Sequence, residues 1–163
     1  MMNKGVYVAL LSICLAQFLK IPIHFIKTKN WNKDLFFQTG GMPSSHSAGV
    51  SSLTTFVALK RGLPTIDFAL SLIFGLIVMY DAQGIRRQTG ELTLKVNDLG
   101  ELVDKIHKDK DIKYVEKPKK LKEMLGHQPQ EVVGGAVLGI VVGSIGHLLT
   151  RNKKSKLSMF NKR

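Results

Sequence analysis

Residues 132–149 read VVGGAVLGIVVGSIGHLL, an apolar run that contains no charged side chain and decides the fold class. A helix of about 18 to 20 such residues is long enough to cross the hydrocarbon core of a bilayer. Glycine and serine recur within the run, as they do in membrane helices that pack closely. The stretch therefore predicts one membrane-spanning helix.

Three more apolar blocks precede this run, and they are shorter or interrupted. They lie at Gly5 to Ile26, which contains Lys20 and His24, at Ser47 to Leu59 and at Phe68 to Tyr80. The whole chain of 163 residues is 44% hydrophobic and carries a formal net charge of +12, and most of the charge lies between and after the blocks. This segregation favours membrane insertion, although the short blocks also fit core helices of a soluble bundle.

The expected fold is all-α, an integral-membrane helical bundle of about four spanning helices plus an amphipathic helix. The apolar residues of the amphipathic helix recur at spacings of three and four, which fits a helix lying on the bilayer surface or one packed on the bundle. They are Leu92, Val96, Leu99, Val103 and Ile106. We expect one helical domain over 1–150 and a basic tail over 151–163, which has six basic residues and no acid.

The first apolar block resembles a signal peptide, because Lys4 precedes an apolar run. No A-x-A-like cleavage site follows, and the run continues towards a second apolar patch. We expect a retained first helix.

Two histidine-containing segments are the candidates for chemistry. QTGGMPSSHSAGVSS at 38–52 surrounds His46 with small polar residues, and GHQPQEVVGGAVLG at 126–139 places Glu131 four residues after His127. A carboxylate on one ring nitrogen fixes the imidazole tautomer and leaves the other nitrogen available. Four membrane crossings would put the 27–46 loop and the 81–128 segment on the same side, so the two histidines can meet.

Several blocks together resemble a known family. PSSHS at 43–47 and the His-x-x-x-Glu segment at 127–131 resemble the second and third signatures of the type-2 phosphatidic acid phosphatase superfamily, which also includes vanadium-dependent haloperoxidases. AQFLK at 16–20, GGMPSSHSA at 40–48, MYDAQGIRRQTG at 79–90 and LGHQPQEVVGGAVLG at 125–139 are similar, in this order, to its divergent branch of small membrane proteins.

The resemblance implies a catalytic role for three residues. His127 would attack phosphorus and form a phosphohistidine, Glu131 would orient His127, and His46 would protonate the leaving alkoxide. Ser44, Ser45 and the backbone amides at the start of the second helix would hold phosphate oxygens. The resemblance implies no cofactor and no metal for phosphatase activity.

The chain departs from the usual signatures at the phosphate ligands. Leu121 stands six residues before His127, where the third signature normally has arginine, and Ser45 replaces glycine of the second signature. Lys20 is the one match to the basic residues of the first signature. Cations that could replace the missing arginine are Lys20, Arg86, Arg87, Lys120 and Lys122, and Arg86 is the favoured candidate.

We therefore expect a membrane phosphatase-like protein that hydrolyses a lipid phosphate or diphosphate, located in a bacterial cell membrane. The loss of the arginine leaves a second hypothesis open, a catalytically silent protein that binds lipid headgroups or scaffolds partners. The expected partners are membrane lipid and a lipid phosphate substrate, with a homo-oligomer possible. The basic charge alone suggests nucleic acid, but aromatic and basic residues do not interleave, so no nucleic acid is expected.

Overall fold

The computed structural model describes residues 3–31, 33–36, 40–109, 120–121 and 126–151. Every regular element in these ranges is helical. The five α-helices are α1 (Lys4–Thr28), α2 (Ser45–Arg61), α3 (Ile66–Gln83), α4 (Ile85–Asp109) and α5 (Pro129–Thr150), and a 3-10 turn, Lys33–Phe36, follows α1. Lys122 and the tail after Arg151 lie outside the described residues.

Local sequence signals explain where the helices begin and end. The side chains of Asn3, Ser44 and Thr65 each accept a hydrogen bond from a first-turn amide of α1, α2 and α3. Such caps satisfy amides that have no partner inside the helix. The α2 helix ends at Gly62, whose φ of 95° suits glycine. The sequence KRGLP at 60–64 thus leads from α2 into α3.

The side chains in the interior of the bundle are small and often polar, whereas many side chains on its surface are large and apolar. The largest fully buried side chains are serines, among them Ser12 and Ser52, while Phe74 and Leu148 are 63% and 65% exposed. Ser12 Oγ donates to the carbonyl of Ala48 across the α1–α2 interface at 3.0 Å. Large exposed apolar faces are unfavourable in water and are what lipid requires, so this distribution argues against the soluble-bundle alternative.

Three helices are long and apolar enough to cross a membrane in the described part of the chain: α1, the α3 segment that continues into α4, and α5. The α2 helix has 17 residues and packs at the centre against all three of α1, α3 and α5. The prediction of a helical membrane bundle is confirmed, but three described helices are of spanning length where about four were expected, and α2 is a shorter internal member of the bundle.

Glycines of α5 bring its backbone against that of α2. A methyl group built on Gly135, Gly139 or Gly143 would lie between 2.2 and 2.5 Å from a carbonyl oxygen of α2 or of its cap residue Ser44. No side chain fits at such distances, so these glycines, spaced four residues apart, allow the close helix packing expected of this run. The same contact fixes the register between the two helices that carry His46 and Glu131.

The α4 helix stands apart from the rest of the bundle. Of the described elements only α3 contacts it, and the apolar stripe that includes Leu92 and Leu99 is exposed. The Asn97 side chain holds the returning chain by donating to the Leu121 carbonyl and accepting from the Leu121 amide. The apolar face of α4 is thus not covered by the other described helices, which favours a position on the bilayer surface over packing along the bundle.

Candidate functional site

His127 is held rigidly at the start of α5. Its amide donates to the Ala82 carbonyl at 3.0 Å, and its ring is buried, with 4% of the residue exposed. A Cβ on the preceding Gly126 would lie 2.3 Å from the Arg87 amide nitrogen, so only glycine allows this approach. The chain before His127 is thereby docked against the junction between α3 and α4.

Glu131 orients the His127 ring. Nδ1 of His127 lies 3.0 Å from Oε2 of Glu131, and the same carboxylate oxygen accepts from the Gln128 amide at 3.1 Å. Glu131 and Gln128 form a capping box at the start of α5. A carboxylate at Nδ1 favours the tautomer in which Nδ1 carries the proton and Nε2 has a free lone pair.

His46 faces His127 across a short gap. The centroids of the two rings are 6.0 Å apart with an interplanar angle of 69°. The two imidazole rings therefore face the same space at one end of the bundle. The packing of α2 on α5 sets the distance between the two rings, since the Ser44 amide donates to the Glu131 carbonyl at 2.9 Å.

The start of α2 offers unbonded donors beside His46. The Ser44 hydroxyl is engaged as the helix cap, accepting from the Ser47 amide at 3.4 Å and from the Ser47 hydroxyl at 3.1 Å. Among the described residues, the amides of Ser45 and His46 and the Ser45 hydroxyl have no hydrogen-bond partner. Free amides at a helix N-terminus favour an anion.

Lys20 is the buried cation of the site. It is only 3% exposed, its Cδ lies close to Gly41 in the loop before Pro43, and its charge attracts that of Glu131 and also acts on His46. Gly40 and Gly41 have φ values of 90° and 79°, a backbone conformation that lets this loop turn beside the lysine.

The other expected cations occupy different positions. Arg86 is close enough to act on His46, but its side chain is exposed and pairs with Asp81, while Arg87 pairs with Glu91 at 3.0 Å. Lys120 pairs with Glu101, about 21 Å along α4 from Arg87. The structure thus brings Lys20 into the site, puts Arg86 at its rim and keeps Lys120 away from it.

Gln17 is a residue that the sequence analysis missed. Its side-chain oxygen is buried without a hydrogen-bond partner among the described residues. Ile13 of α1 packs against Gly49 of α2, and the two helices run antiparallel. Gln17 lies one turn after Ile13 and Ser45 one turn before Gly49, so Gln17 is level with Ser45. The signal was present in AQFLK, where an amide interrupts an apolar helix one turn before Lys20.

The fold and this site define a small helical membrane protein with two facing histidines at one end of the bundle. The chain belongs to the Divergent PAP2 family, whose model matches residues 1–142. It is similar to the uncharacterized membrane protein YuiD of Bacillus subtilis (strain 168), with 45% identity over 138 residues that cover 82% of this chain and 87% of that protein. No solved structure matches it.

These comparisons confirm the family inferred from the four sequence blocks. Together with the helices of membrane-spanning length, they identify an integral membrane protein of bacterial type. In the described ranges, no group of three or more histidine, cysteine, aspartate or glutamate residues gathers as metal ligands.

Proposed function

We propose that this protein is a membrane phosphatase that hydrolyses a lipid phosphate or diphosphate through a phosphohistidine on His127. The observation that supports it most is the arrangement of His127 between Glu131, 3.0 Å from its Nδ1, and the His46 ring at 6.0 Å. One histidine is oriented by a carboxylate, and the ring of a second histidine faces it, which supports a nucleophile and a proton donor acting on one phosphate.

The proposed first step forms a bond between His127 and phosphorus. The Nε2 lone pair of His127 attacks the phosphorus atom while the P–O bond to the lipid breaks. The departing alkoxide takes a proton from the His46 imidazolium, since an alcohol leaves phosphorus poorly without one. Glu131 stabilises the positive charge that develops on the His127 ring.

The second step returns the enzyme to its starting state. A water molecule attacks the phosphorus of the phosphohistidine, and neutral His46 takes the water proton. The P–N bond breaks, inorganic phosphate leaves and the His127 lone pair is restored. His46 thereby ends protonated, ready for the next substrate.

Lys20 and the start of α2 supply the phosphate-binding groups in this proposal. The amides of Ser45 and His46 and the Ser45 hydroxyl would donate to phosphate oxygens, and Lys20 would compensate their charge. Ser44 contributes through the position of α2, because its own hydroxyl caps the helix. The Gln17 oxygen, level with Ser45, would accept a hydrogen bond from a protonated phosphate oxygen.

A catalytically silent lipid-headgroup binder is the second candidate. It is favoured by Leu121 in place of the usual arginine and by the pairing of both Arg86 and Arg87 with carboxylates, which leaves the site with few cations. In this case the same pocket would hold a phosphate without transferring it.

Phosphate release by purified protein in mild detergent separates the two candidates. The substrates are a diacylglycerol phosphate, a long-chain alkyl phosphate and an alkyl diphosphate, and phosphohistidine is sought by mass spectrometry after an alkaline quench. If the protein is a phosphatase, wild type and the control His24→Ala should both release phosphate and carry a phosphoryl group on His127. His127→Ala should show neither turnover nor the phosphoryl group. Absence of turnover in every protein, with lipid phosphate still bound, would establish the silent binder.

A further inference from the structure

The end of the bundle opposite the histidines carries a second cationic cavity. It has a volume of about 310 Å³ and is lined by Lys4, Lys60, His147, Thr150 and Arg151. Three of these side chains are cations and none is acidic. His147 lies about 24 Å along α5 from Glu131, so this cavity is separate from the site described above.

The ends of three helices build the cavity. Lys4 begins α1, and its Nζ donates to the Thr150 carbonyl in the last turn of α5 at 3.4 Å. Lys60 comes from the last turn of α2, and its Nζ lies 5.3 Å from the centroid of the Phe56 ring. The cations thus come from separate helices and converge at one membrane face.

A second cavity of about 390 Å³ adjoins the first, and Lys60 lines both. Its wall between α1 and α2 is apolar and includes Val6, Leu53, Phe56 and Val57. Arg61 lies at the charged end of this groove. It pairs at 2.9 Å with Asp67, which is the acidic residue that lines the groove. Cationic groups therefore lie at the end of a groove whose wall between α1 and α2 is apolar.

We propose that this end of the bundle binds an anionic phospholipid. Its phosphate would lie among Lys4, Lys60 and Arg151, and an acyl chain would follow the apolar groove between α1 and α2. Charge complementarity selects the headgroup, because basic pockets between membrane helices attract anionic lipid. The adjoining groove selects a lipid over a free phosphate ion, which has no apolar part to bury.

Native mass spectrometry of the full chain in detergent tests this binding. The probes are phosphatidylglycerol, phosphatidylcholine with matched chains, and inorganic phosphate. Wild type is expected to retain phosphatidylglycerol more strongly than phosphatidylcholine. Lys60→Gln and Arg151→Gln should each weaken phosphatidylglycerol binding by about fivefold, the size expected for one cation at an anionic lipid surface.

Two controls locate the site. Lys95→Gln removes an exposed cation of α4, Lys27→Gln removes an exposed cation at the opposite end of α1 from Lys4, and both should leave this binding unchanged. Two test variants are used because Lys60→Gln also removes the contact with Phe56, whereas Arg151 follows the end of α5.

Four results would overturn the proposal. They are equal binding of the two lipids, full displacement of phosphatidylglycerol by inorganic phosphate, unchanged binding in both Lys60→Gln and Arg151→Gln, and a loss of binding in Lys27→Gln instead. None of them depends on turnover, so the phosphatase proposal stands or falls separately.

Discussion

Nδ1 of His127 and Oε2 of Glu131 lie 3.0 Å apart, one helical turn along the chain, and that carboxylate oxygen also caps α5 through the Gln128 amide. The residue that orients the ring is therefore part of the helix start itself. This geometry makes the tautomer of His127 depend on a single carboxylate.

Glu131→Gln is expected to lower kcat on a lipid phosphate on the order of 10²-fold, because the amide can donate to Nδ1 and move the ring proton to Nε2. The α5 start should persist, since glutamine also serves in capping boxes. Initial rates and far-UV circular dichroism measure the two effects. Glu101→Gln, an exposed carboxylate far along α4, is the control, and equal rates for both variants would contradict an orienting role for Glu131.

His46→Ala should discriminate between leaving groups. A general acid contributes about 10²- to 10⁴-fold when the leaving group needs a proton, so kcat should fall by that amount on an alkyl phosphate. An aryl phosphate, whose phenolate leaves readily, should lose about tenfold or less. Rates with the two substrates at saturation give the comparison. Equal losses would mean that His46 positions substrate and does not protonate it.

Lys20→Gln should be more harmful than Arg86→Gln. A buried charge-assisted hydrogen bond is worth about 1.5 to 3 kcal/mol, which corresponds to a loss in kcat/KM of about 10- to 100-fold. Arg86 is exposed and paired with Asp81, and such groups contribute about 1 kcal/mol or less. Lys95→Gln controls for net charge. A larger loss in Arg86→Gln would restore Arg86 as the principal phosphate ligand.

Gln17→Leu separates a ligand from a packing defect. If the buried Gln17 oxygen binds substrate, the substitution should raise KM by about fivefold, the equivalent of one hydrogen bond. The melting temperature should stay the same or rise, because an unpartnered buried oxygen is replaced by an apolar group. Kinetics and thermal unfolding in the same detergent test both. An unchanged KM would remove Gln17 from the site.

Gly139→Ala should destabilise the bundle. Its Cβ would lie 2.4 Å from the Ala48 carbonyl oxygen, and such overpacking costs about 1 to 3 kcal/mol. Gly134→Ala is the matched control on the same helix, because its nearest neighbour is the flexible end of Met42 at 3.0 Å. Thermal unfolding should show a lower melting temperature for Gly139→Ala alone. Equal melting temperatures would contradict close α2–α5 packing.

The approach of His46 to His127 was predictable from the sequence, because it depends on the number of helices between them and on helix starts marked by Ser44 and Pro129. The preference for Lys20 over Arg86 was not. The position of Lys20 depends on which face of α1 is buried. The position of Arg86 depends on its pairing with Asp81 across Gly84, where α3 ends, and neither feature appears as a periodic pattern in the sequence. The separation of α4 was equally hidden, since an amphipathic pattern does not say what covers its apolar face.

The length of α2 has a consequence for the His46 end of the bundle. Seventeen residues span about 26 Å, less than the roughly 30 Å of a typical hydrocarbon core. Because α1, α3 and α5 pack around α2, this shortfall lies inside the bundle and not at the lipid boundary. Ser44, at the start of α2, lies against Gly135, more than one turn inside α5, so the His46 end of α2 is recessed between longer helices. A lipid can present its phosphate at that depth while its chains stay in the leaflet.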